Sequence, residues 1–357
     1  MTPLVRNALR EPLRNSASAH TGLLLQRGWT DYVRTGADNA GSGGKAEHIE
    51  RICKILAPDF YTRAFERWLT ATGDPQRFAR CAMRIDARLF IGLAGGNALE
   101  TGCALSQTFG MPYLPGSSIK GVVRAWVEKA LPGEPDIKRQ IFGSELSEED
   151  KAGLSGLVDF HDAWWMPSVE SGNRKNRPFA QEVVTPHHPD YYGKRGEVPA
   201  TDLDSPVPNS MIGVQGSFLF ALEGEKVWTG LALSMLQKAL ADSGIGAKTA
   251  AGYGYLSPDE EILNAWTSKL DRQAGEQNYA KARLSRNPST GELKATLVAD
   301  RRMTAPVKGV TAQGLLEKLP EDQRTSRNIK DGNLLVEITV KEEGNLLTIL
   351  DLRPCQA

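Results

Sequence analysis

The sequence has few cysteines and lacks any long apolar run. Its cysteines, Cys53, Cys81, Cys103 and Cys355, form no C-x-x-C pair, and no cysteine or histidine spacing matches a zinc site. We therefore expect buried or indifferent thiols in a reducing compartment. No stretch approaches the roughly 18 apolar residues of a membrane-spanning helix, and residues 1–20 carry charges where a signal peptide has an apolar core. These features predict a cytoplasmic protein without a membrane partner.

Net charge is absent as well, because 43 Lys and Arg balance 43 Asp and Glu over 357 residues. Bulk electrostatics therefore gives no reason to expect a nucleic acid or a membrane surface as a partner. The balance is uneven along the chain, since residues 272–308 contain eight Lys and Arg but three Asp and Glu. A basic strand face in this segment would suit a nucleic acid or an acidic partner.

Apolar spacing predicts an α+β protein. Residues 1–78 form an N-terminal helical extension, with helical spacing between residues 45 and 70. From residue 79 the pattern predicts the order β-α-β-β-α-β, a ferredoxin-like (RRM-like) domain over 79–257 with a long insertion at 166–210. Its elements are expected at 81–93, 119–131, 157–165, 211–222, 227–241 and 252–256.

A second domain follows a linker helix at 258–277. Residues 278–355 contain short strand-like runs separated by turn clusters such as 287–291. They predict a small β domain, a barrel or a sandwich, and an OB-like arrangement is our expectation.

The segment 244–254, GIGAKTAAGYG, is the first candidate site. Glycines at this density let backbone N–H groups approach a phosphate, and Lys248 adds a positive charge beside Thr249. The four glycines are Gly244, Gly246, Gly252 and Gly254.

Two nucleotide-binding patterns are excluded for this loop. Ala247 stands where a P-loop has the glycine before its lysine, and Thr249 stands where a dinucleotide fingerprint has its third glycine. The loop also follows a helix and not a strand. The remaining alternative is a plain turn between helix and strand, which needs fewer glycines.

The start of the first predicted helix is the second candidate. Pro115 and Gly116 make a turn that brings Ser117 and Ser118 to a helix N-terminus, where free N–H groups favour an anion. Lys120 and Arg124 are four residues apart and share one helix face. Together with the glycine loop they would form a phosphate-backbone cradle; the alternative is an ordinary solvated helix face.

The insertion is the third candidate, because it mixes cations with rings that can stack on bases. Its rings are His187, His188, Tyr191 and Tyr192, and the cations around them are Arg174, Lys175, Arg177, Lys194 and Arg195. An equally good alternative is a polar loop that contacts a neighbouring subunit.

Signs of catalysis are few. His161 and Asp162 form an HD pair, but five scattered histidines do not complete a metal-dependent phosphohydrolase site. There is no G-x-S-x-G elbow and no helical pair of carboxylates. We therefore predict no catalytic residue, no metal site and no cofactor. The alternative is a stand-alone metal-dependent RNA-processing ribonuclease that uses His161 or His187 with a nearby carboxylate.

The combination of motifs resembles the RAMP proteins of type III CRISPR effectors, most closely the subunit 6 family of the type III-B (Cmr) complex. The resemblance covers about residues 20–257. It is carried by LETG at 99–102, GMPYLPGSSIKGVVR at 110–124, IFG at 141–143, GLVDFHDA at 156–163, VTPHH at 184–188 and the glycine loop at 244–254.

This resemblance implies a non-catalytic RNA-binding subunit with a ferredoxin-like RAMP domain, whose glycine loop holds the backbone of the guide RNA (crRNA). It implies a place near the 3′ end of the guide, capping the filament of repeated backbone RAMP subunits beside the small helical subunit, with target RNA an indirect partner in antiviral defence. In this family target cleavage belongs to the repeated subunit. The repeated subunit uses an aspartate on a thumb loop for this cleavage. Asp190 and Asp202 lie in a similar kind of loop here, but no position can be matched to that aspartate. Residues 278–355 depart from the family pattern, and a pure assembly module remains a third hypothesis.

Overall fold

The computed structural model describes residues 2–355 except 4, 15–17, 33–41, 94–98, 100, 145–152, 171–175, 186, 195, 205, 207, 278, 326 and 344–345. The chain contains helices and sheets in two compact units, Met1–Trp266 and Thr267–Ala357. The boundary between the two units, after Trp266, lies within the linker helix predicted at 258–277. Among the described residues, no helix is both long and apolar enough to cross a bilayer.

The described N-terminal residues lie mostly in helices. The predicted pair of helices is present and is interrupted at Pro58, which precedes the second helix of the pair. Its elements are β1 (Thr2–Pro3), α1 (Asn7–Arg14), α2 (Thr21–Arg27), β2 (Asp31–Tyr32), α3 (Ser42–Cys53) and α4 (Asp59–Ala71).

The rest of the first unit is built around one sheet. Its elements are β3 (Phe78–Ile85), β4 (Tyr113–Leu114), α5 (Gly116–Ala130), α6 (Pro135–Phe142), β5 (Val158–Phe160), β6 (Ala163–Trp165), β7 (Phe179–Val184), α7 (Pro189–Gly193), β8 (Asn209–Val214), β9 (Ser217–Gly224), α8 (Lys226–Asp242), β10 (Leu256–Pro258) and α9 (Glu260–Gln277). The strand order is β10-β3-β9-β6-β4, β5 also pairs with β9, and every pairing is antiparallel.

Both faces of this sheet are covered. Met83 and Phe220 are buried on one face, in one apolar cluster with residues of α5 and α8. On the other face Ala82 and Leu219 are buried opposite each other, and Arg80 beside them donates to the carbonyl of Leu69 in α4 at 2.7 Å. Because α4 lies over the face that an RRM leaves open for bases, this sheet offers no flat stacking platform.

Two predicted strands are each divided in two. The expected strand at 211–222 is β8 and β9, which belong to different sheets because the chain bends at Gly216. Gly216 has φ of 94°, and a Cβ there would lie 2.9 Å from the indole Nε1 of Trp165. The expected strand at 157–165 is β5 and β6, separated by His161 and Asp162. The run predicted at 252–256 becomes a strand only from Leu256.

The second unit contains the four strand-like runs of the sequence. They are β11 (Tyr279–Arg286), β12 (Leu293–Leu297), β13 (Leu334–Glu343) and β14 (Leu346–Pro354), paired antiparallel in the order β12-β11-β13-β14. Between the second and third of them are helices that the sequence pattern did not predict, α10 (Gly309–Glu317), α11 (Glu321–Thr325) and α12 (Arg327–Lys330).

The segment 303–307 links the two edges of this sheet. Leu293 and Val307 exchange both backbone hydrogen bonds at 2.9 Å, which pairs the segment antiparallel to β12. On its other side Thr304 bridges Leu347 in parallel, and the N–H of Ala305 donates to Leu347 O at 2.7 Å. The strands therefore form a circuit around an apolar core that includes Val336 and, from α10, Leu315.

Candidate nucleic-acid interface

The glycine loop follows α8 and is shaped by backbone conformations that side chains resist. Gly244, Gly246, Gly252 and Gly254 all have positive φ, between 66° and 93°, and Lys248 adopts the left-handed region with φ of 61°. Close approach adds to the requirement, since a Cβ on Gly246 would lie 2.3 Å from Phe90 O and one on Gly254 would lie 2.1 Å from Ile245 O. Glycine is therefore needed here for the fold itself.

Hydrogen bonds within the protein use some backbone N–H groups of the loop and leave others available for a ligand. The N–H of Ile245 donates to Gly254 O at 2.8 Å. At the same distance the N–H of Ala247 donates to Phe90 O, and that of Gly254 donates to Arg88 O. Those of Ala251, Gly252 and Tyr253 donate to carbonyls of Lys248 and Thr249. Within the described part of the chain, four N–H groups of the loop centre have no acceptor: Gly246, Lys248, Thr249 and Ala250.

This loop centre is accessible. Gly246, Lys248 and Ala250 are exposed, and the 3-10 turn Thr249–Ala251 follows Lys248 directly. Successive N–H groups beside a lysine make an anion-binding concavity. Of the predicted loop residues, Gly246, Lys248 and Thr249 can therefore contact a ligand, whereas Gly254 donates its N–H internally and is buried.

The N-terminus of α5 already has an anion. The carboxylate of Asp162 accepts a hydrogen bond from the Gly116 N–H at 2.8 Å, and it satisfies part of the positive end of the helix dipole. Ser117 and Ser118 are exposed beyond it, and Lys120 is half-buried. Arg124 forms an ion pair with Glu128 at 3.2 Å on the exposed helix surface.

Helix α5 also contacts α8, the helix that precedes the glycine loop. Trp126 Nε1 donates to Asp242 Oδ2 at 2.9 Å, so α5 meets the end of α8 through Trp126. Ser117 lies nine residues earlier, about 13 Å along the axis at 1.5 Å per residue.

The base of the insertion lies beside the loop. Phe90 pairs with Ala247 of the loop, and its neighbour Leu89 pairs with Val214 of β8, which forms a hairpin with β7. Arg88 and Glu182 of β7 approach to 3.7 Å in the same region. Two of the three candidate segments are thus joined through 88–90.

The tip of the insertion carries its predicted rings. His187, Tyr191 and Tyr192 are exposed, and the two tyrosine rings meet edge to face at 5.4 Å. His188 is bound to Asp204 at 2.8 Å; this hydrogen bond and those from Thr201 lower the pKa of the Asp204 carboxyl. Arg177 is half-buried and Lys194 is exposed, whereas Arg174, Lys175 and Arg195 lie outside the described residues.

His161 belongs to a cluster that the sequence pattern did not reveal. Its Nε2 lies 2.9 Å from Glu223 Oε2, the Arg77 guanidinium contacts the same carboxylate at 2.5 Å, and the Trp68 ring packs edge-on at 5.4 Å. The hydrogen bonds from His161 and Arg77 hold the pKa of Glu223 below its ordinary value. No local motif could indicate this cluster, because its members come from β9, α4 and the turns flanking β3 and β5.

The side chains that can bind a metal ion are those of His, Cys, Asp and Glu, and the cysteines can also react as thiols. Among the described residues, no group of three or more His, Cys, Asp and Glu side chains could hold a metal ion. All four cysteines are free, and burial raises the pKa of the Cys53 and Cys81 thiols to about 12, so both stay protonated at neutral pH.

Sequence comparison shows which known proteins this chain is similar to. Residues 84–257, just under half of the chain, match the RAMP superfamily. The chain is similar to the CRISPR system Cmr subunit Cmr6 of Pyrococcus furiosus, with 27% identity over 234 residues, 48% of this chain and 66% of that protein. It is also similar to Cmr6 of Saccharolobus solfataricus, with 30% identity over 169 residues, 46% of this chain and 52% of that protein. These matches confirm the resemblance predicted from the sequence.

Two solved structures also match this chain, each with a TM-score below 0.5. The crystal structure of Cmr6 from Pyrococcus furiosus matches with 26% identity and a TM-score of 0.32, covering 51% of this chain and 98% of that one. A chain in the cryo-EM structure of the type III-B Cmr-beta bound to cognate target RNA matches with 21% identity and a TM-score of 0.47, covering 60% and 71%.

Proposed function

We propose that this chain is a non-catalytic structural subunit of a type III-B CRISPR effector complex that holds the backbone of the guide RNA. The observation that carries the proposal is the similarity to two proteins named as Cmr6 subunits, over a segment that contains the RAMP domain. The partners are the guide RNA, the repeated backbone RAMP subunit and the small helical subunit, with target RNA engaged indirectly. The place is the 3′ end of the guide, capping the filament.

The architecture supports this proposal. Taking the predicted strands in chain order, the observed sheet runs fourth, first, third, second, which supports a ferredoxin-like RAMP domain. The covered sheet faces leave RNA contacts to loops, and the accessible loop centre 246–250 offers four N–H donors and Lys248. Such donors bind phosphates without reading bases.

The proposed path of the RNA passes from the loop centre toward α5. Lys248 and the N–H groups of Gly246 and Thr249 bind one phosphate, and Lys120 with the exposed Ser117 and Ser118 binds phosphates further along. The tip of the insertion, with Tyr191, Tyr192, His187 and His188, extends the surface on the other side of 88–90. Arg124 contributes after exchanging Glu128 for a phosphate.

Replacing the two lysines of this path tests the proposal. Lys248→Ala together with Lys120→Ala is expected to weaken guide-RNA binding by the purified chain or its subcomplex more than tenfold at 0.1 M salt, since each phosphate contact on single strands carries a salt slope of about 0.7. The loss should be equal for guides of unrelated sequence, because no base is read. Filter binding with two such guides measures both features.

Lys226→Ala is the matched control. Lys226 is an exposed lysine at the first turn of α8, about 24 Å along the helix from its last residue, and its replacement should leave the affinity unchanged. Unchanged binding by the double variant, or a loss confined to one guide sequence, would exclude backbone binding at this loop. Copurification of the chain with a discrete set of short RNAs and several subunits tests the assembly itself.

The alternative, an RNA-processing ribonuclease, is favoured by one observation, the pairing of His161 with Glu223. This function predicts that the isolated chain cuts excess RNA and that His161→Ala abolishes cleavage. Our proposal predicts no turnover by the unchanged chain with or without divalent metal. Turnover that survives repurification and is lost in His161→Ala would establish the ribonuclease instead.

A further inference from the structure

The circuit of strands in the second unit has the connectivity of an OB barrel. In chain order the five strands are β11, β12, 303–307, β13 and β14; the third pairs with the second and the fifth, and the fourth joins the fifth to the first. Helix α10 lies between the third and fourth strands. In the OB fold, the face around strands two and three binds oligonucleotides.

We infer that the C-terminal unit is an OB-type barrel that binds the backbone of single-stranded RNA on the outer face of β11, β12 and 303–307. We call this surface the β11–β12 face. The inference does not depend on the proposed function, because it concerns a compact unit separate from the one that contains the RAMP domain.

Cations occupy the outward positions of the β11–β12 face. Lys281 and Arg283 alternate with the buried Ala282 and Leu284 on β11, so both side chains project outward. Lys294 of β12 is exposed opposite Ser285, on the same face and diagonal to Arg283. Arg286, the last residue of β11, is exposed too, but in the alternation it has the parity of Ala282 and Leu284.

The nearby acids do not neutralise these cations. Three carboxylates lie around the face, and each is bound by another cation: Glu292 by Lys308 at 2.6 Å, Asp300 by Arg302 at 2.6 Å and Glu337 by Arg353 at 2.8 Å. Arg283 donates to the neutral amide of Asn333. In the described part of the chain, Lys281, Arg286, Lys294 and Arg301 have no ion-pair partner.

The positive charge is confined to one half of the unit. Residues 279–308 contain seven Lys and Arg and two Asp and Glu, whereas residues 309–357 contain six and eight. General solubility would not require such a division between strands of one barrel. Charge complementarity therefore indicates a polyanion on the β11–β12 face.

The residue types indicate that phosphates and not bases are bound. Tyr279 is the single aromatic residue of 267–357, and its ring is covered by the Arg353 guanidinium at 4.0 Å from the centroid. A single half-buried ring with one side covered cannot hold a row of stacked bases. Outward residues two apart on a strand are about 6.7 Å apart, a spacing comparable with that of successive phosphates along an extended nucleic-acid strand.

Charge removal on the full-length chain tests the inference. The probe is a labelled single-stranded RNA of about 16 nucleotides, the upper end of what one OB fold covers. Lys281→Ala with Lys294→Ala is expected to lower the slope of log affinity against log salt by about 1.4, or 0.7 per lost contact. Lys330→Ala, which removes an exposed lysine from the acidic half of the same unit, should leave the slope unchanged.

The outcomes separate this inference from the proposed function. A smaller salt slope of RNA binding in Lys281→Ala/Lys294→Ala supports the inference whether or not Lys248→Ala has an effect. A smaller slope in Lys248→Ala, with Lys281→Ala/Lys294→Ala unchanged, overturns it. The inference is also overturned if the unchanged chain binds no RNA, or if Lys330→Ala lowers the salt slope equally. It is overturned as well if Lys281→Ala/Lys294→Ala loses binding of an acidic protein while its RNA affinity is unchanged. Crosslinks between RNA and peptides from 279–308 would support it directly; crosslinks restricted to the first unit would not.

Discussion

Individual glycines of the loop at 244–254 have different reasons for being glycine. Gly246 and Gly252 have similar positive φ values of 93° and 88°, but their surroundings differ. A Cβ on Gly246 meets the carbonyl oxygen of Phe90 and the side chain of Leu89, whereas a Cβ on Gly252 meets nothing within 4 Å. At Gly252 the backbone conformation alone requires glycine. At Gly246 both the conformation and the lack of space for a Cβ require it.

This contrast predicts unequal costs of substitution. Gly252→Ala should lower the stability of the first unit by about 1 kcal/mol, the cost of an L residue in the left-handed region. Gly246→Ala should cost at least twice as much, because the Phe90 backbone must also move. Thermal unfolding of the two variants measures this, with a Tm decrease of about 2–4 °C per kcal/mol in a unit of this size. Equal decreases would show that the contact with Phe90 relaxes freely.

The sequence could predict part of the candidate site at this scale. Glycine density and Lys248 indicated the loop as a candidate, and excluding the two nucleotide motifs left phosphate-backbone binding or a plain turn. Which N–H groups are free could not be predicted, because Ala247 and Gly254 donate to Phe90 and Arg88, more than 150 residues earlier in the chain. Asp162 as the partner of the Gly116 N–H was hidden for the same reason.

At the scale of elements, His48 connects two N-terminal helices. It is fully buried in α3, its Nε2 lies 3.1 Å from Leu24 O in α2, and Arg51 donates to its Nδ1 at 3.0 Å. These partners fix a neutral imidazole with the proton on Nε2. Burial and the neighbouring Arg51 charge lower the pKa of His48 to about 4.

Stability should therefore decline in mild acid. Because the folded pKa of His48 lies below the unfolded value of about 6.5, the unfolded chain binds the proton more readily. The contribution of the neutral ring is complete above about pH 6.5 and is lost as the pH falls toward 4. Between pH 7 and pH 5 this amounts to about 2 kcal/mol.

Denaturant unfolding at the two pH values, at constant ionic strength, measures the effect. His48→Gln keeps a donor for Leu24 O without a titrating group, so its free energy of unfolding should change by about 2 kcal/mol less over this interval. An identical pH dependence in the variant would mean that His48 is protonated in the folded chain.

Element types were predictable where periodicity was uninterrupted. The helices at 116–130 and 226–242 and the four C-terminal strands follow clear apolar patterns. The helices at 309–330 were missed because Gly309, Gly314 and Pro320 interrupt the pattern that a helix needs. The break between β8 and β9 was missed because it depends on Trp165 packing against Gly216.

At the scale of the whole molecule, zero net charge proved a coarse guide. Cations and acids balance over the chain but are separated locally, most clearly between 279–308 and 309–357. The RAMP resemblance came from motifs and was confirmed, whereas the domain bounds and the RNA-binding residues remain predictions. Only the folded chain shows that 303–307, too short to be predicted as a strand, connects the two edges of the C-terminal sheet.

The edges of the sheet β10-β3-β9-β6-β4 restrict how another strand could pair with it. One edge strand, β10, has three residues and ends in Pro258, and the other, β4, has two residues. Short edges and proline prevent a foreign strand from adding to a sheet. In the assembly that we propose, neighbours would therefore contact side chains on helices and loops and would not extend this sheet. Single substitutions there would change one contact without disturbing the fold.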